Sequence, residues 1–340
     1  MNKVKIFLAG LMALVIAGCA TPVASPTGSD STPASAARLR IVATVSPITN
    51  VVYNIVGEHA ELVGIVPEGV NSHTYEPAPS DARQLAQADL IFLNGLKLEE
   101  PTLKLAEANA REGAEIVLLG DQTITPEQYV YDFSFPAEGG SPNPHLWPNP
   151  FLTLKYAEIV RDKLIERDPT HAEAYTANYA AFAARIEALD EAIKATISSI
   201  PEQNRKLLTY HDSWAYFAPV YGMTVIGAIQ PSDFAEPSAR EIVDIIEQIK
   251  AEQTPAIFGS EVFPSPVLEQ IARESGAVYV DDLRDDDLPG QPGDENHSYF
   301  GLMAENLRIM AEALGGDPSI MANFDTRNVP GADRAVEQSQ

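Results

Sequence analysis

The chain has 340 residues, 45% of them hydrophobic, which is enough for two domains with real cores. Lys and Arg number 23 against 48 Asp and Glu, a formal charge of −25. That balance excludes the basic surface that nucleic-acid binding needs and is compatible with a cationic ligand.

The only cysteine is Cys19, so no intramolecular disulfide is possible. Lys3 and Lys5 precede an apolar run, Ile6 to Ala17, that is too short for a permanent membrane span. Ile16-Ala17-Gly18-Cys19 follows at once and resembles a bacterial lipobox. The pattern predicts a lipoprotein signal peptide over 1–18, lipidation at Cys19 and an extracytoplasmic, membrane-anchored protein. Residues 19–38 are mostly Thr, Pro, Ser, Ala and Gly, the composition of a flexible tether.

Ile41 to Val45 reads as a buried strand, followed by a helix from Ser46-Pro47 to about Gly57. Further strands are expected at Leu62 to Val66, Asp89 to Leu93 and Glu115 to Leu119, with a helix from about Glu99 to Glu112. An irregular stretch then runs from Gly120 to Trp147, and Asn149-Pro150 caps a helix ending near Glu166. From Pro169 to Ser199, Tyr175, Tyr179, Phe182, Ile186, Leu189, Ile193 and Ile197 recur at helical spacing. This helix is either a core element of one large domain or a spine between two lobes. It holds no internal Pro or Gly, so it resists hinging, and movements around it should be small.

Beyond it the strand and helix rhythm restarts. Strands are expected at Lys206 to Tyr210, Met223 to Ala228, Ala256 to Phe258 and Val278 to Val280. Helices are expected from Asp212 to Tyr221, from Glu236-Pro237-Ser238 to near Ala251, over Ser265 to Ser275, and over Tyr299 to Leu314. Ile242, Val243, Ile245, Ile246 and Ile249 should form the buried side of the second of these, and the chain from Asp325 should be weakly ordered. The fold class is α/β, and on the spine reading the chain divides into an N-terminal lobe over 39–168, a linking helix over 169–200, a C-terminal lobe over 201–325 and a tail over 326–340. Each lobe would carry a four-stranded, mostly parallel sheet.

Parallel sheets bind ligands at the carboxyl ends of their strands. Of six histidines, His59 and His171 read as surface, and His297 sits in an acidic loop with Asp285, Asp286, Asp287, Asp294 and Glu295. His73, His145 and His211 each follow a strand end, as does Asp281, with Asp282 its nearest rival. Three imidazoles and one carboxylate suffice for a tetrahedral transition-metal site, though loop histidines held by ordinary hydrogen bonds would give the same spacing.

Several motifs carry a resemblance. His73-Thr74-Tyr75-Glu76-Pro77 with Pro79-Ser80-Asp81, Asn143-Pro144-His145-Leu146-Trp147 with Asn149-Pro150, and Tyr210-His211-Asp212-Ser213-Trp214 stand in order along the chain. Glu236-Pro237-Ser238 and Tyr279-Val280-Asp281-Asp282-Leu283 with Ser298-Tyr299 follow. From about Arg40 to Leu314 the chain resembles the zinc and manganese substrate-binding lipoproteins of ABC importers, with the TroA-like fold. The resemblance implies two lobes joined by one long helix, with metal between them on His73, His145, His211 and Asp281. It also implies a monomer that delivers its metal to a membrane permease driven by a cytoplasmic ATPase.

Manganese members of the family typically carry Glu at the third position, where this chain has His211, and three nitrogens favour Zn2+ over Mn2+ or iron. The His-rich insertion of many zinc members is missing: Asp121 to Asn143 holds Asp121, Glu127, Asp132 and Glu138 but no His. A zinc hydrolase is the competing class, with Glu76 or Glu261 as base, but four protein ligands would leave no open position and no His-Glu-x-x-His motif occurs. Some relatives are labelled as adhesins, yet no separate adhesive module is visible. Affinity should fall below about pH 6 as the histidines protonate.

Overall fold

The apolar runs become the strands of two parallel sheets in the computed structural model, which describes residues 38–230, 236–262, 265–329 and the backbone of 337–338. The leader, Cys19 and nearly all of the tether lie outside the described residues, as do 330–336 and 339–340 of the tail. The first sheet holds β1 (Leu39–Ala43), β2 (Ala60–Gly64), β3 (Leu90–Leu93) and β4 (Glu115–Leu118) in the order β4-β3-β1-β2. The second holds β5 (Lys206–Thr209), β6 (Thr224–Ala228), β7 (Ala256–Phe258) and β8 (Val278–Val280) in the order β6-β5-β7-β8. A two-residue strand, β9 (Glu337–Gln338), pairs in parallel with β2 and extends the first sheet beyond the expected four.

β1 shows why these strands read as continuous apolar runs. Ile41 and Ala43 face one core cluster and Val42 faces another, because alternate side chains leave opposite faces of a sheet covered on both sides. The helices are α1 (Ser46–Val56), α2 (Pro79–Gln87), α3 (Glu100–Asn109), α4 (Leu119–Thr123), α5 (Pro150–Arg167), α6 (Ala172–Ser199), α7 (Ala239–Glu252), α8 (Pro266–Ser275) and α9 (Tyr299–Leu314). Asn149 caps α5 by accepting from the Phe151 and Leu152 N–H groups.

α6 is the long helix, 28 residues or about 42 Å. Its apolar face is buried throughout except Tyr179, which is half-buried under the Arg161 guanidinium. One core cluster runs from Ile41 and Val45 through Phe182 and Ile186 to Leu207, Trp214 and Tyr299, so both sheets share it. α6 packs against α1, α5 and α9. Among the described residues no helix is long and apolar enough to cross a membrane.

Several expectations change. The long helix begins at Ala172 and not at Pro169, and the Asp168 carboxylate before it accepts from His171 Nδ1 at 2.5 Å and Tyr175 OH at 2.8 Å. No α-helix runs from Asp212 to Tyr221: only Ala218–Tyr221 forms a 3₁₀ turn. Pro219 lacks the N–H an α-helix needs there and disfavours helical geometry at Ala218. α2 was not expected, although Pro79 opens it and Asp81 accepts from the Ala78 N–H at 2.6 Å. Val243 is 52% exposed and lies off the buried side of α7. The chain from Asp325 to Val329 is fastened: Val329 N donates to Asn54 Oδ1 at 2.8 Å, Asn54 Nδ2 donates to Asn328 Oδ1 at 2.9 Å, and Arg185 pairs with Asp325.

Phe182 is fully buried, with its ring 5.0 Å from Phe300 and 6.1 Å from Tyr299. Phe182→Ala should cost about 3–5 kcal/mol in urea unfolding through the cavity it leaves. Exposed Glu187→Ala on the same helix should change stability by less than about 0.5 kcal/mol.

Candidate metal centre

Three loops at strand carboxyl ends deliver three imidazoles to one place. His73 lies in the loop after β2, His145 in the long connection after β4, and His211 two residues beyond β5. The Nε2 atoms of His73 and His145 are 3.1 Å apart, and those of His211 and His145 are 3.2 Å apart. A metal–nitrogen bond of about 2.05 Å in tetrahedral geometry implies nitrogen separations of about 3.3 Å. The trio is therefore close to the spacing such a site requires, and among the described residues it is the group of His, Cys, Asp or Glu whose ligand atoms converge within 4.8 Å.

His145 shows how the ring is set. Asn143 Oδ1 accepts from both the His145 backbone N–H and Nδ1, each at 2.9 Å, and holds the proton on Nδ1. Nε2 is left with its lone pair facing the other two rings. Asn143 is itself held, its Nδ2 donating to Asp132 Oδ2 at 2.7 Å and to the Asp212 carbonyl at 2.6 Å. The His73 N–H donates to Asn71 Oδ1 at 2.8 Å, which turns its loop. The Phe135 ring lies 5.4–5.7 Å from all three imidazoles and walls the cluster off from water. Phe135 escaped the sequence reading; its signal was an aromatic standing in an acidic, Pro-rich connection.

Burial is the main reason why all three histidines have lowered pKa values, with His211 down to about 3 and neighbouring imidazoles adding to the effect on His73 and His145. The rings are neutral at pH 7 and ready to donate electron pairs. This moves the expected onset of protonation well below the ordinary imidazole range.

Asp281 does not join the trio. It follows β8 but is exposed, as is Asp282. The chain turns inward only at Leu283, and the next three acids are buried. Glu261, after β7, organises them: its Oε1 accepts from the backbone N–H groups of Asp285, Asp286 and Asp287 at 3.1, 3.1 and 3.0 Å. Asp286 then accepts from Ser72 N and Oγ, and Asp287 accepts from Gly69 N, fastening the loop that carries His73. Trp147 Nε1 donates to the Asp285 carbonyl at 2.8 Å, fastening the His145 connection to the same loop. Asp285 lines a narrow cavity with His211, Ser213 and Trp214. Burial and mutual repulsion raise the pKa values of Glu261 and Asp285.

The other histidines lie elsewhere. His59 and His171 stack at 4.3 Å near the surface, and His297 sits 3.4 Å from Glu68. Glu76 is exposed.

Two parallel sheets, a long connecting helix and imidazoles converging from strand ends on both define a receptor for a metal ion. The family model described as ZnuA, zinc-uptake complex component A, periplasmic, matches residues 41–313, and the chain belongs to that family. It is 29% identical over 308 residues to the manganese-binding lipoprotein MntA of Halalkalibacterium halodurans, covering 91% of this chain and 97% of that protein. It is 29% identical over 281 residues to the iron-binding protein YfeA of Yersinia pestis, covering 83% and 88%. Among solved structures, the periplasmic zinc binding protein TroA from Treponema pallidum aligns with a TM-score of 0.74 at 27% identity, covering 82% of this chain and 99% of TroA. The protein is a substrate-binding component of a metal ABC importer and not an enzyme.

A histidine with a folded pKa below its unfolded value near 6.5 binds fewer protons when folded. Its contribution to stability is complete above about pH 6.5 and is lost as pH falls toward the folded pKa. Metal-free wild type should therefore lose stability relative to His145→Gln between about pH 7 and pH 5, by up to about 1.4 kcal/mol per pH unit, in urea titrations at each pH.

Proposed function

We propose that the protein captures one zinc ion from outside the cytoplasmic membrane on His73, His145 and His211 and hands it to a membrane permease coupled to an ATPase. The observation that carries this reading is the convergence of three neutral Nε2 atoms at 3.1 and 3.2 Å. Imidazole nitrogen suits zinc, whereas manganese prefers oxygen. The carboxylate donor in this reading is Asp285, which lines a cavity with His211, in place of exposed Asp281. The oxygens of Asp286 and Asp287 are already committed to Ser72 and Gly69. A lipid on Cys19 would keep the receptor at the membrane, and a monomer suffices because one chain supplies every donor.

Manganese or iron is the second reading. It is favoured by the relatives, since the similar chains include a manganese-binding lipoprotein and an iron-binding protein. Competitive titration of chelator-stripped protein with zinc and manganese separates the two: zinc should bind far more tightly, and a functional preference for manganese would show as equal or better retention of that ion.

His211→Ala should weaken zinc binding by about 100-fold or more, since even outer partners of a metal ligand contribute 10–100-fold. Asp285→Asn should weaken it, and Asp281→Asn should leave it within about twofold, in the same titration. Wild-type affinity in His211→Ala would remove this site assignment.

A further inference from the structure

β3 ends at Leu93, so Asn94 stands at a strand carboxyl end, as the three histidines do. Its side chain is fully buried. Nδ2 donates to the Pro144 carbonyl at 3.0 Å and to the Gly95 carbonyl at 3.2 Å, and Oδ1 accepts from Tyr156 OH at 2.6 Å. Both carbonyls can only accept, so the amide has one orientation, with its NH₂ toward Pro144.

The turn that carries Asn94 is held against its own preference. Gly95, Leu96 and Lys97 have φ values of 78°, 51° and 66°. Among the described residues the only other non-glycine with positive φ is Gln253, at the end of α7. Residues with a Cβ enter that region at a cost and stay there where their surroundings impose it. Here the carboxylate of Glu99 accepts from the Asn94 N–H at 2.7 Å and the Gly95 N–H at 3.2 Å, and Asp121 Oδ2 accepts from the Leu96 N–H at 2.9 Å. The Gly120 N–H donates to the Asn94 carbonyl at 2.7 Å, a closeness that glycine permits, since a Cβ there would meet that oxygen at 2.9 Å. Lys97 Nζ reaches the connection that carries His145, donating to the Gly140 carbonyl at 2.8 Å.

What the turn grips is the peptide between Pro144 and His145. The Pro144 ring fixes its own φ, so the tilt of that peptide is the main backbone freedom left immediately before His145. Its carbonyl accepts from Asn94 Nδ2 and from the Leu146 N–H at 3.0 Å, and its N–H donates to Asn143 Oδ1 at 2.9 Å. Asn143 is tied to the second lobe through the Asp212 carbonyl. Asn94 is tied to the first through Tyr156 on α5 and through Glu99. The peptide is thus held at both ends, one asparagine answering to each lobe. We propose that Asn94 is a positioning residue for metal capture: by fixing the Pro144–His145 peptide it aims His145 Nε2 at the point where the three imidazoles meet. This rests on the reading of His145 as a metal ligand.

The test titrates chelator-stripped protein with zinc, and with cobalt, whose visible absorption reports the geometry of its ligands. Asn94→Ala should weaken zinc binding by about 10–100-fold and alter the cobalt spectrum. Tyr156→Phe keeps the Asn94 amide but removes the hydroxyl that aligns it. It should weaken zinc binding by about threefold or more, and it keeps the test decisive if Asn94→Ala does not fold. Phe182→Ala, which loosens the core around α6 without touching this turn, should keep the wild-type cobalt spectrum. His145→Ala separates the proposal from the site on which it rests. Wild-type affinity in His145→Ala would remove the site reading and this role with it. Weakened binding in His145→Ala, with wild-type affinity and cobalt spectrum in both Asn94→Ala and Tyr156→Phe, would overturn the positioning role alone. A cobalt spectrum altered equally in Phe182→Ala would overturn it too, because general loosening would then account for the change.

Discussion

The continuous apolar core along α6 is the constraint on which everything else rests. Three imidazoles from two sheets meet within hydrogen-bonding distance only if the sheets hold a fixed separation and angle. α6 supplies that by burying Tyr175 and Phe182 at one end and Ile193 and Ile197 toward the other within one cluster shared by both lobes. α9 reinforces it, since it belongs to the second lobe in sequence yet packs on α1 and α6. A core of this kind is close-packed and resists displacement of one sheet against the other.

The acidic loop shows how fine positioning is added to that frame. Glu261 gathers three successive N–H groups, which fixes the backbone of 285–287 and points its side chains at the loops of His73 and His211. A stretch with three adjacent carboxylates would otherwise repel itself and swell into water. Here each charge has a definite partner or cavity, and both histidine loops of the first lobe are tied to an element of the second. The lobes thus close on each other through polar clasps laid over an apolar spine.

Much of this was legible in the chain. The strands of both sheets, the long helix and the three histidines have local signals: β-branched runs, a periodicity of 3.6, and His directly beyond a strand end. What escaped depended on chain reversals that no local pattern encodes. Asp281 stands in the expected place after β8, but whether a loop carboxylate faces inward depends on where the backbone turns, here at Leu283 and under Glu261. The buried carboxylates lie further along the acidic loop, at Asp285, Asp286 and Asp287. The expected helix after His211 failed on Pro219, whose effect was readable in the sequence.

The fastening of the chain's end to α1 bears on how the first lobe is completed. Asn50 and Asn54 lie on the first helix and are buried, yet they take key partners from Tyr299, Asn328 and Val329. The first sheet likewise gains an edge strand from residues 337–338. The N-terminal half alone therefore lacks partners for these groups that lie 249 and 275 positions further along the chain. Completion of the hydrogen bonds inside the first lobe therefore depends on segments that come late in the chain.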